Sequence, residues 1–233
     1  MNILAIDTST EIELLALSVD DKIFQFCDNA GMSHSVTMFQ NLSSILSQAA
    51  ITINDIDLIG VGIGPGSFTG IRIAVSTARM FAQILGIPLV GLKSQEIYAA
   101  SAGLTGDKTV LAAFDAKKSK VFAGVYSIKD SLTHEIIEPG DYLMEELLGL
   151  IKKPGEIICV GDGCGKYIDI IENSSQKNRI SCKYLADFLP DGKAAVDLTL
   201  RKYEETPEIY TDFNNTVPFY TRKSDAEIAK YDR

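Results

Sequence analysis

The chain has 233 residues, 46% of them hydrophobic, and a formal net charge of −9. That length buries one large core or two small ones, and the acidity, without any Lys/Arg run, suits the chain poorly to gripping nucleic acid alone, since that affinity comes mostly from neutralised phosphates. No run approaches the roughly 20 apolar residues of a membrane-spanning helix, and MNILAIDTST lacks the basic region and apolar core of a signal peptide, so the expectation is a cytoplasmic protein with no membrane contact. Residues 3–6 read as a short buried strand, followed by strands over 14–19 and 23–26 across the turn Asp20-Asp21, a β-meander. Ser33 is a candidate N-cap for a helix ending near Ala50, and Asn54 starts a link into a strand over 58–63. A second helix spans 67–85, stopped by Gly86 and Pro88, and residues 88–92 lead to a third helix over 94–102. After a linker at 103–108 come strands over 110–114 and 120–128, a helix near 142–151 and a strand over 156–160. Beyond Gly161 only a helix over 193–203 is legible; residues 206–233 are polar and aromatic, with Pro218-Phe219-Tyr220 as the anchoring cluster.

The chain repeats itself. LIGVGIGPGSFTGIR at 58–72 and IICVGDGCG at 157–165 align Val61, Gly62, Gly64 and Gly66 with Val160, Gly161, Gly163 and Gly165. ILAIDTSTEIELLALSV at 3–19 answers LAAFDAKKSKVFAGVYS at 111–127, with Asp7 facing Asp115. Two correspondences in one order indicate a duplicated α/β unit. Three strands, a helix, a strand and further helices, stated twice, describe paired ribonuclease-H-like domains of the actin, sugar-kinase and Hsp70 (ASKHA) superfamily, with a cleft between the halves. The expected division is 1–103, a first domain carrying a helical interaction face; 104–210, a second, degenerate domain; and 211–233, a tail packing back near the junction.

The glycine turn with the residues after the first strand makes a candidate nucleotide or phosphate loop: Asp7, Thr8, Ser9, Gly64, Gly66 and Ser67. It is not a Walker A loop, since Gly70 is followed by Ile71 and Arg72 rather than lysine, and the spacing is not GxGxxG. The competing structural reading is a tight strand-to-helix turn with Ser67 near the N-cap and Asp7 capping its own turn. Asp115 is a weaker candidate than Asp7, its neighbours Lys117, Lys118 and Lys120 reading as a solvated hairpin. The two histidines, His34 and His134, lie far apart and cannot assemble a histidine-rich metal site. No Ser/His/Asp or Cys/His set stands out, Cys27 with His34 being a poor pair, and Cys27, Cys159, Cys164 and Cys182 contain no CxxC and read as inert thiols. The expectation is no catalytic residue, no metal ligand and no cofactor of the chain's own.

The helix over 67–85 gives the sharpest argument. At about 100° per residue, Arg72, Ser76, Arg79 and Gln83 share one narrow polar strip. Ile71, Ala74, Val75, Ala78, Phe81, Ala82 and Leu85 can face the domain's own sheet, which leaves Ile73, Thr77, Met80 and Ile84 on a separate flank. In the preceding helix Met38, Leu42, Ile45, Leu46 and Ala49 fall within an arc of about 100°. Either the two helices only bury each other, or they form a face for another subunit; the second reading makes Met38, Leu42, Ile45, Ala49, Ile73, Thr77, Met80 and Ile84 the interface.

ILAIDTST, GVGIGPGSFTGIRI with its Ala-rich helix, the lone His34 in SHSVTMF and the late VPFYTR together resemble the bacterial TsaB (YeaZ) family, densely up to about residue 92 and again at 218–222. The resemblance implies an actin-like fold and a place in the machinery that adds threonylcarbamoyl (t6A) to the adenosine beside the anticodon of tRNAs reading codons that begin with A. It implies a non-catalytic scaffold that stabilises the catalytic paralogue TsaD, works with the ATPase TsaE, forms a homodimer when alone and meets tRNA only through the complex, with ATP and a divalent metal in the partner subunits. The paralogue's metal signature is a histidine pair four residues apart; here His34 is followed at that spacing by Met38. Two other classes remain: a magnesium-dependent phosphotransferase or ATPase using Asp7 and Asp115, and a peptidase, for which nucleophile and ligands are missing.

Overall fold

In the computed structural model the described residues are 1–29, 34–103, 108–130, 132–152, 155–178 and 180–222, with side chains at 34–36, 175–178 and 180 outside the description. The candidate cap Ser33, most of the expected linker and the last eleven residues of the tail, 223–233, therefore lie outside it. The first half runs β1 (Ile3–Asp7), β2 (Ile12–Val19), β3 (Lys22–Asn29), α1 (His34–Gln48), β4 (Leu58–Gly64), α2 (Phe68–Leu85), β5 (Leu89–Lys93) and α3 (Ser94–Ser101). The second runs β6 (Lys108–Lys117), β7 (Lys120–Lys129), β8 (Leu132–Tyr142), α4 (Met144–Leu150), β9 (Gly155–Val160), α5 (Asp162–Lys166), α6 (Ile168–Asn178), β10 (Ile180–Tyr184), α7 (Gly192–Glu205) and α8 (Pro207–Tyr210).

The duplication is explicit in the sheets. One has the order β3-β2-β1-β4-β5, the other β8-β7-β6-β9-β10, each with an antiparallel meander followed by two parallel strands. The Asp20-Asp21 turn closes the first meander with both residues at positive φ, 48° and 62°, conformations suited to a tight hairpin. The two sequence correspondences are, however, out of step by two residues. Ile6 pairs with Val61 in the first sheet, but Ala112 pairs with Val160 in the second, so superposing the glycine turns places Asp7 on Ala113 rather than Asp115. Because side chains alternate with period two, the slip keeps the face and moves the residue along the strand.

Every residue of β1 is buried, as a central strand covered on both faces demands. On one face α1 and α2 lay Met38, Leu42, Ile45, Ile71, Ala74, Val75 and Ala78 over Leu4, Ile6, Leu15 and Val61. On the other face the cover includes Ala195, Val196 and Leu198 of α7, alongside Ile97 of α3. Residues up to 210 were expected in the second domain, and α7 departs from that: it sits on the first sheet. Conversely Tyr98 and Ala99 of α3 enter the second core with Val110, Ala112, Phe114 and Tyr126. The two helices cross between the sheets, each buried against strands of the opposite half. Among the described residues no helix is long and apolar enough to cross a membrane.

Candidate functional site

The turn after β4 holds the loop after β1. Ser67 caps α2, accepting from the Gly70 amide at 3.3 Å, and its own amide donates to the Ser9 carbonyl at 2.6 Å. Thr8 Oγ1 donates to the Gly70 carbonyl at 2.8 Å, and the Ser9 amide donates to Asp7 Oδ1 at 2.6 Å, so Asp7 caps its own turn. A Cβ on Gly66 would collide with the Ser9 carbonyl, and one on Gly70 with the Thr8 carbonyl. Glycine is required here because backbone meets backbone. Asp7, Thr8, Ser9, Gly64, Gly66 and Ser67 are thus brought together as the sequence pattern suggested, but Gly64 donates to Ser94 Oγ at 3.2 Å and the Ser67 amide is taken by the chain itself.

In the second half Asp115 lies between two lysines, with Lys166 Nζ 2.8 Å and Lys117 Nζ 2.9 Å from Oδ2. Its side chain is only 6% exposed, whereas its neighbour Lys117 is 74% exposed, in keeping with the solvated-hairpin reading of the lysines. Partial burial pulls this carboxyl up, but Lys166 and Lys117 outweigh that and hold it below the ordinary carboxylate range. Asp162, which accepts from the Asp115 amide, is pushed up by burial and then by the Asp115 charge. For the nucleotide and magnesium of the alternative reading, the Thr8 hydroxyl and the Gly64 and Ser67 amides are already taken by the chain itself, the buried Ser9 hydroxyl alone among these donors has no partner, and lysines pair with the second aspartate, a donor set that fits that group poorly. Among the described residues no group of three His, Cys, Asp or Glu side chains could hold a metal. Burial raises the Cys27 thiol to about 12, which leaves it protonated and a poor nucleophile at neutral pH.

The helical face needs correction. Met38, Leu42 and Ile45 are at most 4% exposed and Thr77 is 8% exposed, so all four belong to the chain's own interior. An apolar arc on a helix beside a sheet is drawn to that sheet first, each such side chain gaining about 2 kcal/mol by burial. What α2 leaves outside is Met80, 41% exposed, and Ile84, 73% exposed, with Ile73 partly covered. Ala49 is also only partly buried. On α1 the outward apolar residue is Phe39, 49% exposed and edge-on to Phe81 with centroids 6.4 Å apart. Sequence reasoning missed it because it adjoins the stripe at Met38 without belonging to it. The polar strip of α2 has a definite use: Arg79 donates to Asn214 Oδ1 at 2.8 Å and Arg72 Nε to the Tyr220 hydroxyl at 2.9 Å.

Residues 28–230 match the family model described as "TsaD: tRNA N6-adenosine threonylcarbamoyltransferase". The "tRNA threonylcarbamoyladenosine biosynthesis protein TsaB" of Bacillus subtilis (strain 168) is 30% identical over 175 residues, 74% of this chain and 76% of that protein. The chain belongs to the TsaB (YeaZ) family. The Escherichia coli (strain K12) protein of the same name is 29% identical over 181 residues, covering 75% of this chain and 77% of that one. In fold, "YeaZ from Pseudomonas aeruginosa" superposes with a TM-score of 0.76 at 22% identity over 94% of this chain and 99% of that one. The ROK hexokinase of Thermus thermophilus does so at 0.50 and 10% identity over 88% and 100%, so the duplicated fold is shared with a sugar kinase. In this TsaB-family chain His34 opens α1, its side chain outside the description, and Met38 one turn on is wholly buried in the first core.

Proposed function

We propose that the chain acts in the biosynthesis of threonylcarbamoyladenosine on tRNA, the process for which its TsaB relatives are named, as a scaffold that binds and stabilises a TsaD-type catalytic paralogue. The exposed flank of α2, Met80 and Ile84 with Phe39 beside it, carries this reading. The helix has already committed its other apolar side to the core, so a second apolar flank in water is unfavourable unless a partner covers it. That residues 28–230 match a family model described as TsaD supports a paralogue of related fold, and with an equivalent helix pair on it the two pairs would meet as a four-helix interface. The same flank would serve a homodimer when the chain is alone. A TsaE-type ATPase completes the set; ATP and a divalent metal belong to the partners, and the acidic chain reaches tRNA only through the complex, in the cytoplasm. The phosphotransferase alternative finds no support in the filled glycine turn.

Reconstitution tests it. TsaD-type and TsaE-type partners should incorporate threonylcarbamoyl into tRNA only when this chain is added, with Asp115→Asn retaining that capacity and Ile84→Asp abolishing it. Full incorporation without the chain, or equal loss with both variants, would contradict the scaffold reading.

A further inference from the structure

We infer that the two domains are held at one fixed angle by a rivet at the β5–α3 junction and a strap over residues 212–222, so that the interdomain cleft does not open and close. This concerns the chain by itself and does not depend on which partner it serves.

The rivet is three residues, and each ties the first half to the second. Lys93 Nζ reaches Glu135 at 2.7 Å and Glu138 at 3.2 Å, both on β8. The buried Gln95 amide donates to the Pro65 carbonyl at 2.9 Å and to the Phe122 carbonyl at 3.2 Å, joining the glycine turn directly to β7. Glu96, 7% exposed, meets Lys202 at 2.7 Å, Arg201 at 3.3 Å and the Thr133 hydroxyl at 3.1 Å, so one carboxylate gathers α3, α7 and β8. A buried carboxylate with three donors holds its geometry closely, because moving any donor leaves charge in a low dielectric.

The strap closes the cleft elsewhere. In the first half the Thr216 hydroxyl donates to the Leu89 carbonyl at 2.9 Å, the Phe219 amide to the Ile63 carbonyl at 2.8 Å, and Tyr220 stacks on Phe68 with centroids 4.8 Å apart. Two residues later Arg222 is in the second half: it donates to the Ala116 carbonyl at 2.7 Å, lies 5.1 Å over the Phe122 ring and stands 3.9 Å from Asp141. Phe122 is thereby gripped from two directions, its carbonyl by Gln95 and its ring by Arg222. Opening the cleft would have to break the rivet and pull Arg222 from its seat at once.

Hydrogen exchange on the full chain tests this through the double variant Tyr220→Ala/Arg222→Ala. In the native chain, cleft-facing peptides over 63–68 and 116–122 should exchange as slowly as the α1 peptide over 38–46. In the variant the cleft peptides should speed up at least about tenfold with α1 unchanged, the mark of local opening rather than global unfolding. Cleft peptides already fast in the native chain would overturn the fixed angle. Unchanged cleft exchange once the Phe219 amide is released would overturn the strap. Should α1 exchange show that the double variant is unfolded, Arg222→Ala alone is read by the same criteria.

Discussion

The two halves end equivalent strands on glycine turns of the same spelling and use them for different contacts. After β4, Gly66 and Gly70 let the turn touch the main chain of Ser9 and Thr8. After β9, Gly161 and Gly163 likewise crowd the main chain of Ala113 and Phe114, but Gly165, the counterpart of Gly66, faces the Tyr184 hydroxyl, the end of a side chain, and the nearby charge is a lysine-bracketed aspartate. A run of spaced glycines therefore reports a close approach without saying what approaches. In the first half the occupant is the chain's own loop, so a pattern that could cradle phosphate is instead a packing device.

The largest effects should come from forcing that contrast. Gly66→Ala drives a methyl into a carbonyl that cannot move and should cost about 3 kcal/mol, whereas Gly165→Ala only displaces a phenol and should cost below about 1 kcal/mol. Urea denaturation midpoints would measure both, and equal losses would break the comparison. Next in size is charge. Glu96→Ala strands Lys202 and Arg201, but these are about a quarter exposed, so the loss should be about 2 kcal/mol rather than the full cost of breaking a buried pair. Asp115→Ala frees lysines that reach solvent and should cost less than about 1 kcal/mol in the same denaturation series.

The smallest effect sharpens the second turn. Asp115 has a lowered folded pKa, so the stability it contributes is complete above the unfolded value and is lost as pH falls through the lowered one. Asp162 has a raised folded pKa: its ionised form costs stability, and that cost is relieved as pH falls through the raised value. Asp115→Asn removes a like charge and frees two cations, so the Asp162 carboxyl should titrate lower by NMR. An unchanged Asp162 titration would show that burial alone sets it.

Much of the fold was legible, because β1, β2, β4 and α2 are regular elements bounded by strong signals such as Asp20-Asp21, Ser67 and Gly86. The strands β8 and β10 were not. Both lie at sheet edges, where only one side pairs, and β8 carries charges with Pro139-Gly140 and register shifts that read as loop. The crossing of α3 and α7 was hidden for another reason: helical periodicity gives a buried face but not the sheet that buries it. The same limit inverted the α1 face, where Met38, Leu42 and Ile45 had the pattern of an interface and the position of a core. Glu96 had a faint signal, a lone acid just before the apolar run IYAAS, and Tyr220 stood in the cluster already marked as an anchor, with Arg222 two residues beyond it.

The central claim is that the outer flank of α2, and not the core face of α1, receives the TsaD-type paralogue. Light scattering on the purified co-expressed pair should give the summed mass of both chains for the native protein. Met80→Asp, which would bury an unpaired charge worth about 2 kcal/mol or more, should leave the two chains separate, while Leu42→Ala lowers thermal stability but keeps the complex. An intact complex with a folded Met80→Asp chain would contradict the account.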